Sequence, residues 1–260
     1  MKETTLTILE NTPLTHDTYR LRLAGDTSAI TAPGQFVNLK LAGFFLRRPI
    51  SVCDWTEGEL TLIYKVLGRG TAAMTAFAPG AALSVLTGLG NGYDTSCSGE
   101  RPLLVGGGVG IPPLYGLARR LRAEGKAVSA ALGFHSAADV FLADELRALG
   151  VNVHIATDDG SAGLRGLVTD AMDAAGDGYT HLYTCGPEPM LRAVYDRCHT
   201  DGQFSFEERM GCGFGACMGC SCKTKYGTKR ICKDGPVLRK GEIVWQTHPS
   251  RSAACRWKTR

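Results

Sequence analysis

Between Met210 and Thr224 the chain reads MGCGFGACMGCSCKT, with Cys212, Cys217 and Cys220 at C-x4-C-x2-C spacing and Cys232 following at a distance. Thiols placed this way oblige the backbone to wrap a loop around whatever they hold, and the spacing is one that carries a 2Fe-2S cluster on four thiolates. Gly211, Gly213, Gly215 and Gly219 punctuate the segment. Glycine lets backbone approach such a group closely and turn N–H groups toward sulfur. Zinc is the competing occupant, but its structural sites pair two C-x2-C units or add histidines. Only Cys217 and Cys220 form such a unit here. Cys222 could take the place of Cys220; the spacing favours Cys220 and leaves Cys222 as a neighbouring free thiol.

Five of the ten cysteines fall between Cys212 and Cys232, a clustering that points to a metal in a reducing compartment rather than to disulfides. The start, MKETTLTILENTP, alternates apolar and polar residues without the basic residues and apolar run of a leader. No stretch approaches the roughly 20 apolar residues that span a bilayer. A cytoplasmic protein is expected, with no membrane contact. At 260 residues, 44% hydrophobic and 21% charged, the chain has room for two domains and an appendage. The net charge of +4 is uneven: residues 223–260 hold eleven Lys or Arg against Asp234 and Glu242. That segment reads either as a solvated tail balancing anionic thiolates or as a docking surface for an acidic protein. Nucleic acid is not expected, because no aromatic residues interleave the charge.

Three regions follow one another. Residues 1–99 read as short strands, TLTIL, YRLRL, GQFVNLKL, PISVCDW and ELTLIYKV, bounded by turn residues and spaced as in a small barrel. Residues 100–203 alternate apolar runs with helical periodicity, from PLLVGGG and LYGLARRLRAEG to THLYTCG and MLRAVYDRC, which predicts a parallel sheet covered by helices. Residues 204–260 lack long periodic segments and contain the cysteines.

Other motifs carry chemistry. In RRPIS, Arg48 can pair with a pyrophosphate and Ser51 can bond a flavin edge. In KVLGRGT, Gly70 and Thr71 can present backbone N–H groups to phosphate as a helix begins. VGGGVGIPP offers Gly108, Gly110 and Pro113 as a G-x-G-x-x-P turn between strand and helix, with proline in place of the third glycine of the dinucleotide fingerprint. CGPEPM puts Cys185, Gly186 and Pro187 at the carboxyl edge of the sheet. His135 and His154 are expected to be structural, and no residue is expected to act as a general base.

The order of these motifs over residues 1 to about 200 resembles the ferredoxin-NADP reductase superfamily. Across nearly the full length, LRRPIS, LIYKVLGRGT, LLVGGGVGIPPL, TDDGSAGLRGLVTD, CGPEPML, EERMGCGFGACMGCSCK and CKDGPV resemble the electron-transfer subunits of NAD-linked bacterial dihydroorotate dehydrogenases. The resemblance implies an antiparallel Greek-key barrel binding FAD through Arg48, Pro49, Ile50, Ser51, Ile63, Tyr64, Lys65, Gly70 and Thr71. It implies an α/β domain binding NAD through Gly108, Gly110, Pro113, Cys185, Gly186 and Pro187, and a 2Fe-2S subdomain on Cys212, Cys217, Cys220 and Cys232. Many superfamily members carry an aromatic residue where this chain has Ile50. Also implied is an FMN-containing catalytic subunit that oxidises dihydroorotate, with two copies of each chain. GFHSAADV lacks the arginine expected for a 2′-phosphate, which favours NAD over NADP. The competing readings are a flavin and iron-sulfur subunit of a ferredoxin-NADP reductase, sulfide dehydrogenase or hydrogenase complex, and a non-catalytic zinc module.

Overall fold

Strict alternation organises the first region. In β5 (Glu59–Lys65), Leu60 and Leu62 point inward, and Leu21 and Leu23 do the same in β2 (Thr18–Ala24). With β1 (Lys2–Pro13), β3 (Phe36–Leu39), β4 (Arg48–Thr56) and β6 (Ala82–Leu89), they form a closed antiparallel barrel of Greek-key order β1-β2-β5-β4-β3-β6. Its interior holds Leu6, Ile8, Val37, Leu39, Val52 and Val85, each at most 2% exposed; full burial of such a side chain contributes about 2 kcal/mol. A short helix, α1 (Arg69–Met74), seals one end with Met74. This computed structural model describes residues 1–245, so part of the basic tail, with Cys255, lies outside the described residues.

The second region is an α/β layer built from β7 (Pro102–Gly107), α2 (Pro112–Ala123), β8 (Ser129–Phe134), α3 (Ala143–Ala148), β9 (Asn152–Thr157), β10 (Leu164–Arg165), α4 (Val168–Ala174), β11 (His181–Cys185), α5 (Glu188–Arg197) and β12 (Gly202–Ser205). In β7, Leu104 packs into one face with α2, while Leu103 and Val105 pack into the other with α4 and α5. Both faces of this central strand are covered, which is why it reads as an unbroken apolar run.

The cysteine-rich part adds a hairpin, β13 (Ser221–Thr224) and β14 (Gly227–Arg230), a turn of helix, α6 (Ile231–Asp234), and β15 (Val237–Arg239). β15 pairs antiparallel with β12, extending the sheet to β10-β9-β8-β7-β11-β12-β15. The expected division at 203/204 therefore falls inside β12, and the cysteine-rich part shares its core with the nucleotide sheet. Three residues are too few to show a period, so β15 is invisible to pattern reading.

α2 joins the second region to the barrel. Gly116 lies so close to the Cys53 carbonyl that an added Cβ would come within 2.9 Å. Arg119 donates to the Trp55 carbonyl at 2.7 Å and pairs with Asp54 at 2.6 Å. Asn91, two residues past β6, bonds both ways with Val237, at 2.8 and 3.1 Å, and so fixes the cysteine-rich part to the segment leaving the barrel.

Candidate functional site

β3 and β4 pair in register Phe36↔Ser51, Val37↔Ile50 and Asn38↔Pro49, and β5 runs alongside β4. Their ends open a cleft of about 230 Å³ whose lining includes Pro49, Ile50, Ser51, Ile63, Tyr64, Lys65 and Thr71. Ile50 is half-buried and aliphatic, so no aromatic ring comes from that position. Arg48 leans over the Phe44 ring, 4.8 Å from its centroid, and packs so tightly on Gly70 that a Cβ there would collide with the guanidinium. RRPIS and GRGT thus meet in space, although nothing in either motif names the other. Thr71 closes its own turn: its Oγ1 accepts from the N–H of Leu67 at 2.9 Å and of Gly68 at 3.2 Å. Lys65 is tied back to Asp17 at 3.0 Å. The Tyr64 ring turns into the barrel core, stacks on Tyr19 and donates to Asn11 at 3.1 Å.

At the other end of Lys65 begins a larger cleft of about 630 Å³, lined by Gly108, Gly110, Gly186 and Pro187 with Phe134, His135 and Asp158. β7 ends in a tight turn with Gly108 at φ +50, and α2 starts at Pro112, where a missing N–H costs nothing. Gly110 abuts the Cys185 carbonyl: an added Cβ would fall within 3.0 Å of it, nearer than real Cβ atoms come. Pro113 is buried in the first turn of α2 and shapes the helix start without lining the cleft. Cys185 is 2% exposed, and burial pushes its thiol up to about 12, so it is neutral at physiological pH. His135 departs from the expectation of a structural histidine. Its ring is exposed at the cleft and bonded through Nδ1 to Asp158 at 2.9 Å, which raises its pKa. His154 bonds Asn152 at 3.1 Å on the exposed edge.

Sequence reasoning missed Asp158 and Glu207. Glu207 borders both clefts and also a third of about 430 Å³ that is lined by Gly219, Ser221, Cys222 and Lys223. Partial desolvation among the surrounding cleft walls raises its pKa, although solvent reaches the side chain. The available signal was its position just past the carboxyl end of β12, where ligands of open sheets bind.

The four cysteines come together in two couples. Cys212 Sγ accepts from the N–H of Cys217, and Cys220 Sγ from that of Cys232. Backbone N–H groups reach the sulfurs: Ala216 and Cys217 donate to Cys212 Sγ at 3.2 and 3.4 Å, and Cys232 donates to Cys220 Sγ at 3.4 Å. Burial raises the Cys212 pKa, but N–H groups of Phe214, Cys217 and Ala216 outweigh it and bring the thiol down to about 6. Gly213 at φ +79 and Gly215 at φ +92 make these turns. Among the described residues no three His, Cys, Asp or Glu side chains converge on a single ion. Thiols in couples, with N–H groups aimed at sulfur, suit a two-iron cluster with two thiolates per iron. Cys222 points away, into the third cleft beside Lys223. Several basic residues are occupied locally: Arg230 pairs with Asp234 at 3.0 Å and donates to the Gly215 carbonyl at 2.9 Å, and Lys229 pairs with Glu242.

No helix among the described residues is long and apolar enough to cross a membrane. Residues 207–244 match the iron-sulfur cluster binding domain of dihydroorotate dehydrogenase B, and residues 104–196 match the oxidoreductase NAD-binding domain. The dihydroorotate dehydrogenase B (NAD(+)) electron transfer subunit of Bacillus caldolyticus is 44% identical over 253 residues, covering 92% of this chain and 97% of the relative. The one from Fusobacterium nucleatum is 39% identical over 257 residues, covering 94% and 99%. Among solved structures, a chain of the NADH-dependent reduced ferredoxin-NADP oxidoreductase superposes with a TM-score of 0.83 at 29% identity, covering 92% of this chain and 90% of that one. A ferredoxin NADP+ reductase from Neisseria gonorrhoeae, with bound FAD and NADP, shares the fold over 75% of this chain and 90% of its own at a TM-score of 0.65 and 17% identity. Barrel, nucleotide sheet and paired cysteines therefore stand in one arrangement matched over nearly the whole length, and the chain belongs to the family of dihydroorotate dehydrogenase B electron transfer subunits.

Proposed function

We propose that this chain carries electrons between an FMN-containing catalytic subunit, which oxidises dihydroorotate, and NAD+, in a cytoplasmic assembly with two copies of each chain. One observation carries the reading: Glu207 borders the barrel cleft, the nucleotide cleft and the cleft beside the cysteine loops, so three ligand positions meet at one carboxylate. When bound, the cluster supplies one-electron steps, FAD exchanges one- for two-electron chemistry, and NAD+ accepts hydride.

The protein's own part is placement. Arg48 and Gly70 form a cationic corner beside the barrel cleft for the FAD pyrophosphate, with Pro49, Ile50, Ser51, Ile63, Tyr64, Lys65 and Thr71 shaping the rest. Gly108, Gly110 and Pro113 make the turn that receives the NAD phosphates, and Cys185, Gly186 and Pro187 face the nicotinamide end. The neutral Cys185 thiol adds no charge there to oppose hydride arrival. Cys212, Cys217, Cys220 and Cys232 hold the cluster, and N–H donors to their sulfurs favour its more negative reduced form. Residues 1–99, 100–203 and 204–260 serve as FAD, NAD and cluster units. Phe214 and Met218, 42% and 53% exposed on the cluster loop, offer the partner an apolar landing next to the thiols.

The test is anaerobic purification of the tagged chain with its partner, followed by absorption spectra on adding dihydroorotate and then NAD+. Bleaching by dihydroorotate with recovery on NAD+ is expected. Bleaching by NADH without any response to dihydroorotate would keep the reductase and refute the donor.

A further inference from the structure

We infer that Asn38 is a positioning residue for electron passage between the barrel cleft and the cysteine loops. The inference rests on the functional reading above. Asn38 stands in β3 and is 1% exposed; its Nδ2 donates to the carbonyl of Cys212 at 3.3 Å. Its backbone pairs with Pro49, and the flanking pairs bring Val37 to Ile50 and Phe36 to Ser51. One residue therefore joins the strand that lines the flavin cleft to the carbonyl of a cluster cysteine. Gly213, next to Cys212, has no room for a side chain, because a Cβ would collide with the Asn38 amide nitrogen. Loop and strand are in direct contact here.

The choice of an amide here is not explained by packing. Asn38 Oδ1 is buried and has no hydrogen-bond partner among the described residues. Leucine has the same branching and carries no unpaired acceptor. What the amide supplies is a directional bond to the loop, and a site that must hold separations closely benefits from supports of that kind. With both groups bound, the passage would carry one electron at a time between cluster and flavin, with no bond made or broken. Asn38 takes no part in the exchange; it holds the two ends at a fixed distance.

The test is rapid mixing of the FAD- and cluster-loaded protein with NADH, following flavin and cluster bleaching as separate phases in Asn38→Leu and Asn38→Asp. Asn38→Leu removes the donor, and Asn38→Asp, mixed at a pH high enough to ionise its carboxyl, removes it with the shape kept should Asn38→Leu fold poorly. Iron and FAD contents and the melting temperature are measured alongside. Flavin bleaching should keep its rate, melting of Asn38→Leu should stay level or rise, and cluster bleaching should slow about tenfold. Gly213→Ala, which pushes the loop from the other side with Asn38 intact, should slow the same phase. Equal cluster bleaching in fully loaded Asn38 variants would overturn the inference and leave the functional reading standing, as would slowing of both phases in step with lost cofactor. If NADH failed to bleach the flavin of the unaltered protein, the functional reading would fall and take the inference with it.

Discussion

Replacing Gly110 with alanine puts a methyl group against the carbonyl of Cys185, its carbon and the nitrogen of Gly186. All three are backbone atoms at the end of a central strand, so no flexible side chain can swing aside. Separating them to ordinary contact takes a displacement on the order of 1 Å, and overpacking of this kind costs about 1–3 kcal/mol of stability. The displaced atoms are Gly110 and Gly186, which border the nucleotide cleft, and Cys185, which lines the barrel cleft. A misplacement of about 1 Å at a reacting site costs roughly 100-fold in rate. That corresponds to about 2.7 kcal/mol of transition-state stabilisation. The assay is NADH oxidation with ferricyanide, comparing kcat and KM, with FAD content checked because Cys185 also lines the barrel cleft. Gly125→Ala is the control: its φ of +80 is strained, but its Cβ would meet nothing within 4 Å and it lies past the far end of α2, outside the lining of the cleft. The reasoning fails if Gly110→Ala retains kcat/KM within about twofold, or loses no more than the control.

Three further perturbations probe other parts of the molecule. Cys220→Ser should abolish the cluster's visible absorption while Cys222→Ser leaves it, since Cys220 Sγ accepts from the N–H of Cys232 and Cys222 faces another cleft; the opposite pattern in the spectra would reassign the ligand. Arg48→Ala should raise the FAD dissociation constant about tenfold, the worth of one charge-assisted bond to phosphate, as read by flavin fluorescence on dilution. Arg119→Ala should cost about 2 kcal/mol in urea melts, the range for a broken buried pair reduced for partial exposure. Burial already raises the Asp54 pKa above its ordinary 3.8, so the ionised form works against the fold at neutral pH and that strain is relieved as pH falls. Losing Arg119 raises the pKa further, and the variant's deficit should narrow as pH falls from neutral through the raised Asp54 pKa; a constant deficit would show that the pair carries no electrostatic weight.

How much of this was legible depended on whether the signal was local. Leu60 and Leu62, or Leu103 to Val105, announce their environments within a few residues, and the five barrel stretches named from sequence all form strands. β6 alternates as well as any of them, yet it starts amid Ala, Pro and Gly, and its reason for existing is a partner, β1, some eighty positions away. The glycine turn and the cysteine spacing were readable because phosphate and sulfur impose local backbone demands. Glu207 was not, because a carboxylate after a four-residue strand gains meaning only when three clefts converge on it. Asn38 reads as one polar residue in a short strand; its contact with Cys212 spans 174 positions.

The shared core between the cysteine loops and the nucleotide sheet has a consequence for the life of the protein. Cys220 and Cys232 are packed with Ile231 into the same apolar cluster as Leu103, Val105, Phe204 and Leu238. Whatever binds those thiols in the folded state, and not in the unfolded one, adds its binding free energy to the stability of the whole sheet. Iron supply is thereby written into the folding equilibrium, and a chain that misses its cluster presents the cell with a looser sheet edge at β12 and β15 for proteases to find.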